Sequence, residues 1–180
     1  MKQVKTISGK ILTHGSNTFE PTLKIYREAL SFLVDVINDE WNVLEGLTTK
    51  EVTRAVEKFV HRTNKNPSPK YDFTSKFYKF PSYFRRSAIS KAFGIVSSYK
   101  SNLDNWLDEK LKAQSEGKRF KKKPPALSIE HDAFPVFYKG NMFERLSSDE
   151  AKIKVYLNND WVWVTIKFNH KNFKNRGITS

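Results

Sequence analysis

The sequence of 180 residues contains no cysteine and only seven glycines. The lack of cysteine excludes disulfide frameworks, thiolate zinc sites, iron–sulfur clusters and cysteine nucleophiles, and it favours a reducing compartment. No stretch approaches the roughly 18 uninterrupted apolar residues of a membrane span, and the N-terminus lacks the apolar run of a secretory signal. The sequence therefore predicts a cytoplasmic protein with no membrane partner.

The motifs of several catalytic classes are also missing. The chain has no glycine-rich phosphate loop, no GxGxxG fingerprint, no HExxH zinc motif and no nucleophile elbow. The four scattered histidines, for which we expect solvated or structural roles, are His14, His61, His131 and His170. Asp104, Asp108 and Glu109 lie near one predicted helix and are the candidates for holding a divalent ion. We expect the two aspartates instead to pair with Lys100 and Lys112. This span therefore predicts no catalytic residue and no metal site.

Positive charge is abundant and unevenly distributed. The chain has 32 Lys and Arg against 19 Asp and Glu, a net charge of +13. Residues 61–125 carry 16 bases and five acids, whereas residues 20–60 carry five bases and eight acids. Solvated faces usually mix both signs, so we attribute the basic stretch to binding of a polyanion, most commonly a nucleic acid.

The basic stretch also contains many aromatic residues, as in the segments 71–73 and 77–80. Bases hold phosphates, and rings stack on unpaired nucleobases. Phe73, Phe77 and Phe80 serve equally well as core anchors under a long loop. The sequence leaves both interpretations open for these rings.

Two helices are predicted in the first third of the chain. The first begins at Pro21 and follows a helical apolar pattern to an end near Gly46. Thr48 and Glu51 have the spacing of a capping box, so a second helix begins there. This second helix runs about three turns before the breaker at residues 64–67.

A long loop and a third helix follow. Residues 63–81 are too rich in proline for a helix and too aromatic for a flexible linker, so they predict an ordered, irregular loop. Ser82 caps a helix that ends near Leu111. The basic run and double proline of residues 114–125 predict an exposed loop.

The remainder of the chain predicts strands. A short strand is expected at residues 135–138, and a hairpin at residues 151–157 and 161–168 around a turn at residues 158–160. A further strand at residues 4–12 pairs most economically with this hairpin across the helical insertion. The fold class is therefore α+β, with a discontinuous β module.

The segments Phe80–Ile89 and Val96–Trp106 lie on the third predicted helix, and Lys123–Leu127, Phe134–Phe143 and Trp161–Val164 follow them. In this order they resemble TnpB, the transposon-encoded accessory protein of bacterial insertion sequences. TnpB proteins are RNA-guided DNA endonucleases related to compact type V CRISPR effectors. The resemblance covers nearly the whole chain.

The resemblance implies a wedge domain, a small antiparallel OB-like β-barrel, interrupted by a helical recognition lobe. The wedge comprises residues 1–20 and 126–175, the inserted lobe residues 21–125 and the tail residues 176–180. The RuvC-like nuclease domain of the family lies downstream, with its catalytic carboxylates and zinc ribbon. Magnesium and zinc are therefore expected only there, and this span predicts no cofactor. Two alternatives stay open, a truncated element and a shortened protein that binds without cutting.

The function predicted for this span is binding of guide RNA and double-stranded target DNA through backbone charge and ring stacking. The predicted phosphate contacts are Arg62, Lys65, Lys70, Lys76, Lys79, Arg85, Arg86, Lys91, Lys100, Lys118, Arg119, Lys121, Lys122 and Lys123. The predicted stacking residues are Tyr71, Tyr78 and Tyr83. Tyr138 and Asn141 either contribute to reading a short DNA motif beside the target or are simply turn residues.

Two other classes are alternatives. A basic transcriptional regulator without nuclease ancestry would use the Ser82 helix in a helix-turn-helix. A self-sufficient metal nuclease would cut plasmid DNA in the presence of magnesium, which we do not expect.

Overall fold

In a computed structural model of the chain, the structure describes residues 10–129 and 133–167. The helices are α1 (Ser16–Asp39), α2 (Trp41–Leu44), α3 (Thr49–Val60), α4 (Phe73–Lys76) and α5 (Ser82–Ser115), and the strands are β1 (Phe143–Arg145), β2 (Glu150–Leu157) and β3 (Asp160–Lys167). This mixture of helices and an antiparallel sheet confirms the α+β class. In the described parts of the chain, no helix is both long and apolar enough to cross a bilayer.

The chain divides into two compact units. The strand unit comprises the described parts of Met1–Lys24 and Val136–Ser180, and the helical unit comprises those of Ile25–Pro135. The predicted boundaries lie nearby, at residues 20 and 126. The assignment of the two units to a wedge and a recognition lobe stays a prediction.

The first predicted helix is two helices in the structure. α1 begins at Ser16, before Pro21, because the Thr18 N–H donates to the Gly15 carbonyl and closes an earlier turn. The helix is interrupted at Glu40, and α2 follows as a single turn. Gly46, with a φ of 77°, ends the helical region as predicted, because the left-handed conformation favours glycine.

The second helix begins with the predicted capping box. The Thr48 hydroxyl accepts a hydrogen bond from the Glu51 N–H, and the Glu51 carboxylate accepts one from the Thr48 N–H at 2.9 Å. Val52, Val56 and Val60 are fully buried at a spacing of four residues. This apolar stripe packs α3 against α5.

The connection between α3 and α5 is irregular, as predicted, apart from the short helix α4. Phe73, Phe77 and Phe80 are all buried in this connection, with ring centroids 4.7 to 6.0 Å apart. Of the two interpretations of these rings, core packing is the one the structure confirms. The connection comprises residues 61–81, so α3 and α5 do not form a helix-turn-helix, which needs a turn of roughly three or four residues.

The third predicted helix is α5, a continuous helix of 34 residues. Its N-cap is Pro81 instead of Ser82, and Ser82 is its first helical residue. The buried side chains of α5 all lie between Phe84 and Val96. The second half of the helix therefore extends beyond the core.

The hairpin of the strand unit is confirmed. β2 and β3 pair antiparallel from Glu150↔Lys167 to Leu157↔Asp160. Asn158 and Asn159, with φ values of 50° and 62°, form the two-residue turn that asparagine favours. One face of the sheet is the core of the unit, whose buried members are Ala151, Ile153, Val155 and Ile166.

The predicted barrel and the strand predicted at residues 135–138 differ from the structure. The described strands form an open sheet in the order β1-β2-β3, because β1 and β3 do not pair with each other to close it. Residues 135–138 are not a strand; instead, the Tyr138 carbonyl accepts the Met142 N–H in a turn that leads into β1. Most of the strand predicted at residues 4–12 lies outside the described residues. At its end, the Leu12 N–H donates to the Lys167 carbonyl at 2.7 Å.

The capping box makes a testable contribution to stability. We expect Thr48→Ala to lower the free energy of unfolding by about 1 kcal/mol, because the Glu51 N–H at the start of α3 loses its partner, the Thr48 hydroxyl. Urea denaturation measures this loss. Thr49→Ala is the matched control, since Thr49 is exposed and its side chain takes no part in the box. Equal destabilisation by both substitutions would contradict the assignment.

Candidate nucleic-acid interface

The candidate interface centres on the exposed second half of α5 and the segment that follows it. We call residues 97–125 the basic arm. α5 ends at Ser115, and Gly117, two residues later, has a φ of 65°. The Lys118 N–H donates to the Ala113 carbonyl, and the Gly117 N–H to the Gln114 carbonyl. These two bonds form a Schellman motif, which stops the helix and turns the chain away from its axis.

Trp106 holds the returning segment against α5. Its Nε1–H donates to the Lys122 carbonyl at 3.0 Å, and its ring contacts the Phe120 ring edge-on with centroids 5.6 Å apart. The Lys122 ammonium lies 2.5 Å from a carboxylate oxygen of Glu109. Residues 114–125 were predicted to be an exposed loop, and the structure adds that their path is fixed by the helix.

The bases of this returning segment differ in their contacts. Lys122 is exposed but paired with Glu109 of α5, and Arg119, Lys121 and Lys123 are exposed. In the described part of the chain, no carboxylate lies within 4 Å of these three bases. The arm therefore presents three positive charges that no acid among the described residues neutralises. Such charges are available to phosphate oxygens.

The acidic residues of the arm do not form the expected pairs. Among the described residues, neither Asp104 nor Asp108 makes a salt bridge, whereas Glu109 pairs with Lys122. Lys100 lies over the Tyr99 ring, at 5.8 Å from its centroid. Within residues 10–129 and 133–167, no three histidine or acidic side chains lie close enough together to hold a metal ion.

A second group of predicted site residues lies in the α3–α5 connection and has internal partners. The Lys70 ammonium and the Tyr71 hydroxyl both donate to the carboxylate of Glu40, Tyr71 at 2.5 Å. The hydrogen bonds from Lys70 and then Tyr71 lower the pKa of Glu40. The bond to Glu40 raises the pKa of Tyr71 to about 12. These contacts tie the connection to the break between α1 and α2.

Arg85 occupies a different environment from the other predicted phosphate contacts. It is only 7% exposed, and its guanidinium lies 3.4 Å from the Glu57 carboxylate. The same carboxylate accepts a hydrogen bond from Arg86 at 3.1 Å. Burial lowers the pKa of Arg85, and Glu57 opposes that shift. Because a buried guanidinium does not reach phosphate in solution, we leave Arg85 out of the interface.

The remaining predicted residues are mostly at the surface. The exposed bases are Arg62, Lys65, Lys76, Lys79 and Lys91, and Lys118 is exposed but paired with Glu116. Tyr78 is 68% exposed and Tyr83 is half-buried. In the strand unit, Tyr138 and Asn141 are exposed and belong to the turn before β1.

The structure does not bring the predicted bases into one patch. The connection packs on the start of α5, where the Phe80 and Phe84 rings lie 6.2 Å apart, whereas the basic arm lies at the other end. Since a helix rises about 1.5 Å per residue, Phe84 and Trp106, where the two groups contact α5, are separated by about 33 Å along the helix. Lys110 and Lys112 also belong to the arm and were missed, although their place on the same predicted helix was a signal for them.

Comparisons with known proteins identify one family. A model described as the Aq_aa04 family matches residues 5–157. A protein of Aquifex aeolicus strain VF5, with the name "Uncharacterized protein aq_aa04", is 30% identical over 99 residues, which are 48% of this chain and 55% of that protein. The chain thus spans about half the length of the curated relative it matches. No solved structure matches the chain. These matches do not test the resemblance to TnpB.

The Glu40 contacts predict a pH-dependent stability. Since the folded pKa of Glu40 is below its ordinary value of 4.5, its contribution is present above that pH and is lost as the pH falls through the lowered pKa. Urea denaturation between about pH 3 and 7 should therefore show a weaker acid dependence in Glu40→Gln than in the wild type. The exposed Glu45 is the control, and Glu45→Gln should leave the pH dependence unchanged. Identical pH profiles for the wild type and Glu40→Gln would contradict the assignment.

The Trp106 contacts predict how firmly the arm is held. Trp106→Phe keeps a ring against Phe120 but removes the hydrogen bond to the Lys122 carbonyl. We expect trypsin to cleave within residues 118–123 about two- to tenfold faster, as loss of one hydrogen bond allows. Trp41→Phe is the control, because Trp41 stacks on Phe93 elsewhere in the unit. Unchanged cleavage in Trp106→Phe would show that the bond does not restrain the segment.

Proposed function

The chain belongs to the Aq_aa04 family, and we propose that it binds nucleic acid by contacting the phosphate backbone with the basic arm. The observation that carries the proposal is the row of Arg119, Lys121 and Lys123, which are exposed in a segment that Trp106 holds against α5. A polyanion with regularly spaced charges is the natural partner for such a row.

The fixed backbone path of the arm also supports binding of nucleic acid, in addition to its charge. A disordered basic tail loses backbone entropy of about 1–2 kcal/mol per residue when it becomes ordered on a ligand. Here the Trp106 hydrogen bond and the Phe120 contact already order the backbone. Only the long side chains of the bases remain to be ordered when phosphate binds.

The proposal concerns backbone contacts rather than sequence reading. Lysine and arginine that contact phosphates position a protein on nucleic acid without reading its bases. The exposed Tyr78, in the connection before α5, is the candidate for stacking on an unpaired base. The TnpB resemblance makes a structured guide RNA and double-stranded target DNA the first ligands to test. In that proposal this span binds the RNA and the DNA, and base pairing between them selects the target sequence. The protein would then act in the cytoplasm.

The salt dependence of binding tests the role of the arm. Each phosphate contact contributes about 0.9 to the slope of log K against log salt for duplex DNA and about 0.7 for single strands. Replacing Arg119, Lys121 and Lys123 by Ala should therefore reduce that slope by about two to three. Fluorescence anisotropy with a labelled duplex and a labelled structured RNA, over a several-fold range of salt, measures the slope.

Two neighbouring lysines provide the matched control. Lys118 and Lys122 lie in the same segment, but their ammonium groups are paired with Glu116 and Glu109. For each charge removed, the double variant Lys118→Ala/Lys122→Ala should change the slope of log K against log salt less than the triple variant does. If the outward and paired bases have equal effects, or if binding is insensitive to salt, the proposed interface is wrong.

A further inference from the structure

A small basic pocket lies between α3 and α5, away from the basic arm. Its lining consists of Lys50, Thr53, Arg54 and Glu57 from α3 and Arg86 from α5. The α3 residues follow one another at helical spacing, so a single face of that helix supplies four of the five. The cavity has a volume of about 300 Å³. No run of basic residues marks this site in the sequence, because Lys50 and Arg54 lie in the acidic part of the chain, residues 20–60.

The charge in this pocket is positive in spite of Glu57. The Glu57 carboxylate accepts hydrogen bonds from Arg86 at 3.1 Å and from the buried Arg85 at 3.4 Å. Two guanidinium groups therefore surround one carboxylate. Lys50 and Arg54 are exposed, and in the described part of the chain neither has a carboxylate within 4 Å. The four charged lining residues, Lys50, Arg54, Arg86 and Glu57, give a net charge of +2.

The size of the pocket restricts the anion that fits it. Ligand pockets range from about 300 to 1,000 Å³, so this one is at the lower limit and suits a small charged group better than a whole cofactor. A phosphate monoester carries a charge of about −1.5 to −2 near pH 7 and has three terminal oxygens for several donors. A phosphate within a nucleic-acid strand carries only one charge, so a terminal phosphate is attracted more strongly by this group of bases.

We infer that the α3–α5 pocket binds the terminal phosphate of a nucleic-acid strand. The inference rests on the proposed nucleic-acid binding, which supplies the strand. Arg54 and Lys50 contact the phosphate oxygens directly, as guanidinium and ammonium groups do in other phosphate sites. Glu57 fixes the position of Arg86 at the edge of the pocket.

The experiment compares three oligonucleotides of one sequence, with a 5′-phosphate, a 3′-phosphate or hydroxyl groups at both ends. Affinities for the wild type, Lys50→Ala and Arg54→Ala are measured at one salt concentration. The wild type should bind one phosphorylated form about five- to tenfold more tightly than the hydroxyl form, as one charge-assisted contact allows. Both variants should reduce that preference to about twofold or less.

Lys58→Ala is the matched control. Lys58 is exposed on the same helix, has no salt bridge in the described part of the chain and does not line the pocket. This variant removes one charge and should keep the preference for the phosphorylated end. Thermal unfolding of all the variants shows whether the fold is retained, which we expect because every substituted side chain is exposed.

Each other outcome overturns the inference. If all three oligonucleotides bind equally and with a steep salt dependence, the pocket does not bind end phosphates, but the basic arm is unaffected. If no oligonucleotide binds and inorganic phosphate raises the melting temperature of the wild type but not of Arg54→Ala, the pocket takes free phosphate. That result would overturn the nucleic-acid end as its ligand and the proposed function as well.

Discussion

The burial of phenylalanine rings from an irregular segment is the constraint on which the rest of the helical unit depends. Phe73, Phe77 and Phe80 are in the core, and Phe80 meets Phe84 at the start of α5. Complete burial of one such side chain stabilises a fold by about 1.5–3 kcal/mol, so together the three outweigh most single polar contacts. They fix where α5 begins. Because the core of α5 ends at Val96, its second half must project from the unit.

Local patterns were sufficient for the features that depend on near neighbours. The capping box of Thr48 and Glu51 spans four residues, and the hairpin depends on alternation and two asparagines, so both were predicted. The break at Glu40 was not predictable, because its partners lie about 30 residues away at Lys70 and Tyr71. The open sheet likewise depends on which strands meet, and no local pattern determines that.

The same distinction applies to the candidate site. The exposed basic run was predicted from composition, but the contacts of Phe120 and Lys122 depend on Trp106 and Glu109 in the preceding helix. The charge counts by segment also did not show which basic residues pair with acidic residues of another segment. Arg85, counted with the basic stretch, is neutralised by a carboxylate of the acidic segment. The positive charge that is available to a ligand is therefore distributed differently from the count of basic residues along the sequence.

The two proposed contact regions both lie against α5, which limits how a single ligand engages both. Arg86 is near the start of α5, and the row of Arg119, Lys121 and Lys123 flanks Lys122, which contacts Trp106 and Glu109. Trp106 and Glu109 follow Arg86 by 20 and 23 residues. At about 1.5 Å per residue this is about 30–35 Å, and a duplex strand places a phosphate about every 3.4 Å along its axis. A duplex lying along α5 must therefore extend about 9 or 10 base pairs from its end to reach the arm. A shorter duplex engages the pocket or the arm, whereas a longer one is held at both, and the second contact then forms within a complex already made.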